Sequence, residues 1–449
     1  MICANSSRIS RTYRAAVALA VGVGLTISGC GSSKSSGGAS GTAANPVVLD
    51  YWGWNNGQPA QVAAFNAGHK DVQIKYVKTQ GGDPTLQQLA NAYKAGNEPC
   101  LVQGTAENLT TLVSQGELGD VTQWVAPHKA EFNPGAFSGA GVQGKIYAVP
   151  TSSAPAFTIY RTDIFQQYGL KPPATWDDFI ADGEVLKRHG IDITNYAGED
   201  PSTLVTLAMQ AGAHWYTIDG DSWKVDFQDP ASLKAAAVIQ KIVEENLDSQ
   251  ISFADYAAVQ RNYDNGGTVT RQISTWQMAG MVKNFTKSNG KWALSPWPAF
   301  AGDSSKTPAG TNQSAGLTLI TSQCKAKAQA AEAALWLSTD LGAVKTMADP
   351  ATGAGLMPAL ADPSQYVAES ISAPLLGPDY QAAQKVVTDS IGTVATSWTF
   401  GPDWTAMYDE LANGWAKVLT KQEKLTDLLA HMQQWTVADL KSRGINVEG

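Results

Sequence analysis

Basic charge is scarce in this sequence. Its 32 lysines and arginines stand against 40 aspartates and glutamates, a formal charge of −8. A nucleic-acid partner would want a basic face, so the deficit argues against that class. Motifs for catalysis are missing as well. There is no His-Glu-x-x-His, no Walker loop and no G-x-G-x-x-G. The nearest approach to a serine-hydrolase elbow, Asn312-Gln-Ser-Ala-Gly316, lacks the first glycine. The five histidines are scattered, and none is spaced as a metal pair. Gly81-Gly82 and Gly266-Gly267 read as turns rather than phosphate cradles. Asp219-Gly220-Asp221 reads as a hairpin turn, because the rest of a calcium loop and its terminal Glu are absent. No cofactor and no metal are expected. Nothing after residue 29 is long and apolar enough to span a membrane.

What the sequence does hold fits a folded globular body. Charged residues make up 16% and apolar ones 43%, with 14 tryptophans, a balance unlike that of disordered chains. At 449 residues, two domains are the natural division. The N-terminus reads as an export signal. Arg8, Arg11 and Arg14 precede an apolar run, Ala15 to Ile27, that is too short for an ordinary membrane span. It ends in Ile27-Ser-Gly-Cys30, which looks like a bacterial lipobox and implies cleavage before Cys30 and acylation of its thiol. Residues 1–29 are thus assigned as signal peptide, and residues 30–45, rich in Ser, Gly and Ala, as a flexible tether. The signal carries three arginines and no acid, so the rest of the chain is more acidic still, at −11. The expected location is the extracytoplasmic face of the cell membrane, held there by lipid alone.

Down the chain, Val47 to Trp52 reads as a strand, Pro59 to Asn66 as a helix and Val72 to Val77 as a strand. Asp83 to Ala95 reads as a helix with Pro84 in its first turn, and Leu101-Val-Gln as a third strand. That β-α-β-α-β order predicts a parallel, doubly wound sheet. The most telling stretch is Gly144 to Phe179. Two strand-like pieces, Lys145–Val149 and Ala156–Tyr160, flank an extended linker bounded by Pro150 and Pro155. A short helix from Thr162 stops at Gly169, and Thr175 caps a second one with Asp177 and Asp178 in its first turn.

The ordered set Gly144-Lys145, Tyr147-Ala-Val-Pro150, Tyr160, Gly169-Leu170, Pro172-Pro173 and Thr175-Trp-Asp-Asp-Phe179 resembles the extracellular solute-binding proteins of ABC importers, in the group that includes maltose-binding protein. Arg161 stands where that group usually has Asn. The resemblance implies an α/β, two-lobe periplasmic-binding-protein-like fold, each lobe a doubly wound mainly parallel sheet, joined by three crossings. Lobe 1 is then expected at 46–153 plus 298–341, and lobe 2 at 154–297 plus 342–449. The third crossing falls near Thr339–Ala343, with Trp292–Pro298 as the second. Cys100 and Cys324 sit at the ends of strand-like runs, Cys100 at the start of one and Cys324 at the close of the other, both assigned to lobe 1. They are either bridged or two inert buried thiols.

The site follows from aromatics and polar groups. A sugar offers an apolar C–H face rimmed by hydroxyls, so a ring covers the face while carboxylates and amides pair with the rim. Trp54 and Asn55 sit in the loop after the first strand, where open α/β sheets bind ligands. Gln103, Glu107 and Asn108 follow the third strand at the same edge. Asp200, beside Glu199, begins a helix in lobe 2. Trp276, Trp398 and Trp404 lie where the resemblance places ligand-stacking aromatics. The expected function is capture of a mono- or oligosaccharide and its delivery to the permease subunits of an ABC importer, by a monomer that is not an enzyme. Two alternatives stay open: a receptor of the same fold for a non-sugar solute, and a surface-anchored glycoside hydrolase, which would need two carboxylates facing one bond.

Overall fold

The computed structural model describes residues 41–302 and 315–448. The signal segment, Cys30, most of the tether and the start of the Asn312–Gly316 motif lie outside the described residues.

The first sheet grows from Val47–Gly53. Its alternation sends Leu49 and Tyr51 into the core and leaves Asp50 outside, 3.4 Å from Lys75. It pairs in parallel with Val72–Lys78 on one side and Leu101–Thr105 on the other. The helices Gln58–Gly68 and Asp83–Ala95 make the two crossovers. Gly316–Ile320 then inserts antiparallel between Leu101–Thr105 and Ala148–Pro150. Five strands result, in the spatial order 72–78, 47–53, 101–105, 316–320, 148–150. The Ile320–Leu101 register brings the following segment back to Cys100, and a disulfide joins Cys100 to Cys324, with Cα atoms 4.7 Å apart.

The second sheet has three strands and is antiparallel rather than mainly parallel. Phe157–Arg161 lies between Thr270–Ile273 and Trp292–Ser295, antiparallel to both. Parallel pairing survives beside it, between Thr194–Asn195 and Asp248–Ser249. Helices cover this sheet through a core rich in tryptophan. Trp176, Trp215, Trp292 and Trp415 are fully buried. Each indole N–H donates to a partner: Gln210 Oε1, Ser232 Oγ, Ser288 Oγ and the Ala197 carbonyl, at 2.8–3.0 Å. That pairing lets so large a polar-tipped ring sit in a core. The hairpin Tyr216–Asp219 and Ser222–Val225 turns at Gly220, as its sequence predicts.

Trp292–Ser295, within the 154–297 segment expected as lobe 2, is a strand of the second sheet, and the return to the first lies after it. The third crossing falls later than Thr339–Ala343. The helix Leu341–Ala348 stays with the first lobe. It packs on Gln58–Gly68 and Lys327–Thr339, and Gln61 Nε2 donates to the carbonyls of Leu337 and Ala343, tying all three together. The chain crosses later, where Met357–Pro358 pairs antiparallel with Ser152–Ser153 of the first crossing. An Ala-rich helix followed at once by a capping Asp340 gives no sequence sign that both helices serve one lobe.

Candidate ligand-binding site

A cavity of about 670 Å³ opens between residues of the two sheets' loops and faces. One wall is built from strand-to-helix connections of the first sheet. Trp54 projects from the loop after Val47–Gly53. Its backbone N–H donates to Gln103 Oε1 at 2.9 Å. Gln58 fixes the rest of that loop: its carbonyl accepts from the Asn55 N–H (3.0 Å) and the Tyr76 hydroxyl (3.1 Å), and its amide donates to Tyr51 (2.7 Å). Gly81 backs the indole so closely that an added Cβ would lie 2.9 Å from Trp54 Cγ. Asp83 stands in the first turn of its helix, and Glu107 and Asn108 in the first turn of Ala106–Ser114, all lining the cavity. The Thr105 hydroxyl donates to Asn108 Oδ1 at 2.5 Å and orients that amide.

The other wall is a sheet face and helix ends. Arg271 to Ser274 contribute from the strand Thr270–Ile273 and its end. The Arg271 guanidinium lies 5.4 Å from the centre of the Phe253 ring, a cation–π contact that steadies both. Trp276 and Tyr256 are each 43% exposed, and the Tyr256 hydroxyl closes on Gly280, one turn beyond Trp276 on the same helix. Large exposed aromatics beside a cavity are the groups a sugar face would meet. From Trp404–Leu419 come Trp404, Tyr408 and Asp409.

Carboxylates dominate the charge. Asp200 Oδ1 accepts from the Ser202 N–H (3.0 Å) and the Tyr408 hydroxyl (2.8 Å). Burial, and then the Asp200 charge, push the Tyr408 phenol well above its ordinary range, so it stays a donor. Asp409 is also raised, first by burial and then by the charge of Asp83 on the opposite wall. Against Asp83, Glu107, Asp200 and Asp409, Arg271 is the one Lys or Arg among the described residues that line the cavity. Among the described residues no three His, Cys, Asp or Glu side chains gather as a metal site.

A family model for bacterial extracellular solute-binding proteins matches residues 60–378, more than half of the chain. The chain belongs to that family. This solute-binding protein is 32% identical to the lactose-binding protein of Rhizobium radiobacter over 163 residues, 35% of this chain and 37% of the other. It is 26% identical to the mannitol-binding protein of Pseudomonas aeruginosa over 180 residues, 36% and 39%. Either match therefore spans well under half of the relative's length. Its fold is shared with the galacto-N-biose/lacto-N-biose I-binding protein of an ABC transporter from Bifidobacterium longum. The TM-score is 0.77 at 22% identity, over 90% of this chain and 99% of that one.

Of the residues singled out by sequence, the structure brings Trp54, Glu107, Asn108, Asp200, Trp276 and Trp404 to one cavity. Three others lie away from it. Asn55 lines a separate recess of about 20 Å³ with Gln58 and Met347. Gln103 is buried and holds the Trp54 loop instead of facing solvent. Trp398 is buried against Trp215 (5.4 Å) and Phe400 (6.3 Å), because its chain segment turns it into the second-lobe core. Glu199 caps the turn at Ser252–Ala254 through its Oε1. Sequence reasoning missed Asp83, Arg271, Gln272, Tyr256, Phe253, Tyr408 and Asp409 in this solute-binding protein. Asp83 was legible as a first-turn acid after a Gly-Gly turn. Arg271 reaches the cavity from a strand rather than from a loop.

Proposed function

We propose that the protein captures a carbohydrate, a mono- or oligosaccharide, in this cavity and hands it to an ABC import permease. The carrying observation is the lining: Trp54, Trp276 and Trp404 supply ring faces while Asp83, Glu107, Asp200 and Asp409 supply acceptors for hydroxyl rims. The reading is supported by family membership, and by relatives and structural neighbours named for lactose, mannitol and lacto-N-biose. Ligand held by one wall favours closure, because only the closed state adds the contacts of the other. No bond is made or broken. The contact residues are Trp54, Glu107, Asn108, Asp200, Trp276 and Trp404, joined by Arg271, Gln272 and Asp409. Lobe 1 comprises residues 46–153 and the return from about 315 to 356, and lobe 2 the remainder. The protein works as a monomer, tethered through an acylated Cys30. Among the described residues no helix is long and apolar enough to cross a membrane.

Calorimetry of the detergent-purified protein against mono-, di- and oligosaccharides tests the reading. Saturable binding with the sugar recovered intact is expected. Sugar cleavage would make it a hydrolase, and silence across the panel would turn the search to non-sugar solutes. Cys30→Ala is expected to move the protein from the membrane fraction to the soluble one. Retention in the membrane would overturn the anchor.

A further inference from the structure

The charge of the cavity is not balanced from within the protein. Four carboxylates line it, Asp83, Glu107, Asp200 and Asp409, against the guanidinium of Arg271. That guanidinium stands over the rings of Phe253 and Tyr263, 5.4 and 5.9 Å from their centres, and makes no ion pair among the described residues. Asp200 is occupied by the Ser202 N–H and the Tyr408 hydroxyl. Asp83 and Asp409 are different. Both are exposed, and the side chain of neither forms a hydrogen bond or an ion pair with another described residue.

These two acids come from opposite walls. Asp83 opens the helix Asp83–Ala95, two residues after the Gly81 that backs the Trp54 indole. Asp409 lies on Trp404–Leu419 and shares a face with Thr405, four residues earlier, which also lines the cavity. The approach to that helix is held against the first lobe, where the Ser114 hydroxyl donates to the Pro402 carbonyl at 3.0 Å. Burial, and then the charge of Asp83, hold the Asp409 carboxyl above its usual range. Like charges across a cleft oppose its closure. Sugar hydroxyls can donate to such carboxylates, but they leave the repulsion in place. A cation between the two replaces it with attraction, and its charge-assisted bonds are about twice as strong as neutral ones. A metal ion fits poorly, since no three such side chains gather among the described residues and a hard cation wants roughly six oxygens or more. The half-exposed rings of Trp276 and Tyr256 mark the cavity as a site for an organic ligand, and the acids set the charge it takes.

We infer that the cavity takes an amino sugar, whose ammonium group sits between Asp83 and Asp409 while its ring lies against Trp54. The inference rests on the reading of the cavity as a sugar site and narrows the cargo to basic sugars. Because the ammonium meets an acid from each wall, its charge drives closure as well as choice. Acidic and phosphorylated sugars meet four carboxylates and are rejected.

The test uses the full-length protein in detergent, titrated by calorimetry at about pH 6.5, where a sugar amine is protonated. The probes are the glucose, galactose, lactose and cellobiose series, each as the hydroxyl sugar, the free amine and the acetylated amine. Acetylation keeps the nitrogen and removes the charge. At least one free amine is expected to bind about tenfold more tightly than both of its counterparts. Added salt should erode that margin and leave the affinity for the hydroxyl sugar. Asp83→Asn and Asp409→Asn keep the size and one acceptor oxygen. Each should lower the amine-to-hydroxyl affinity ratio several-fold, and the double variant should bring it to about one, with melting unchanged or raised. Should a variant not fold, the acetylated sugars and the salt dependence decide on the wild type. If any sugar binds and no free amine exceeds its hydroxyl counterpart, the inference is overturned and the sugar reading stands. An amine preference that survives in the double variant overturns the part given to these two acids. If no sugar of any series binds, the sugar reading falls and the inference with it.

Discussion

The two walls of the cavity are made differently. The first is a set of loops and first turns at the edge of a sheet: Trp54, Asp83, Glu107 and Asn108. The second is part of a core: Trp404 is 3% exposed and touches Phe400 and Tyr216 as well as the cavity. Binding and stability are therefore separable on the first wall and entangled on the second. Trp276, half exposed at a helix start, is the exception there.

The largest effect is expected at the entangled position. Trp404→Ala should cost about 3–5 kcal/mol of stability, the range for deleting a buried aromatic, and weaken ligand binding with it. Denaturant unfolding and calorimetry on one preparation check this. Full stability with lost affinity would break the comparison.

Asp403 sharpens it next. This carboxylate, 1% exposed, directly precedes Trp404. Its Oδ1 accepts from the Tyr216 hydroxyl at 3.0 Å, while Oδ2 is buried without a partner. Burial, chiefly, raises its pKa to about 6; the Asp439 charge adds to the rise and Arg443 opposes it. A carboxyl raised above its unfolded value binds protons more readily in the folded state. Its contribution to stability therefore grows as pH falls from about 6 towards the unfolded pKa, and at higher pH the buried charge is destabilising. Asp403→Asn should thus stabilise the protein by roughly 2–3 kcal/mol at pH 7.5. That gain should shrink as pH falls through 6. Melting curves of variant and wild type at pH 4.5 and 7.5 read the difference.

On the first wall, Trp54→Ala should weaken sugar binding at least tenfold, in line with about 1–3 kcal/mol for a stacked ring, with melting unchanged. Trp276→Ala should also spare stability and cost less in affinity, because nearly half of its ring already faces water. A substantial unfolding penalty for either variant would contradict the separation of binding from stability at these two positions.

The same contrast explains what the sequence made legible. Trp54 could be placed because a loop directly after a strand has one address, the carboxyl edge of the sheet. The helix Asp83–Ala95 could be read to the residue from its Pro and following Gly. Arg271 and Gln272 could not, since which residues of Thr270–Ile273 border a cavity depends on a register with Phe157–Arg161, more than a hundred positions earlier. Trp398 and Trp404 stand six residues apart in one aromatic-rich segment, yet one is core and the other lines the cavity. Nothing local distinguishes them. The third crossing is not legible locally for a related reason: only packing shows that Leu341–Ala348 belongs with Gln58–Gly68.

The smallest expected effect isolates the first wall most cleanly. Gly81 has φ +89°, a left-handed conformation that strains any other residue, and it lies against one face of the Trp54 ring. Gly81→Ala adds strain of about 1–2 kcal/mol and pushes the indole away from its resting place. Gly169, with φ +70° and open space around a would-be Cβ, supplies the strain alone. Both alanine variants should lower stability by a similar amount, but only Gly81→Ala should weaken sugar binding, by several-fold. If the two lose affinity equally, Trp54 does not owe its position to Gly81. If neither loses it, the ring meets no ligand, and the first wall acts through Asp83, Glu107 and Asn108.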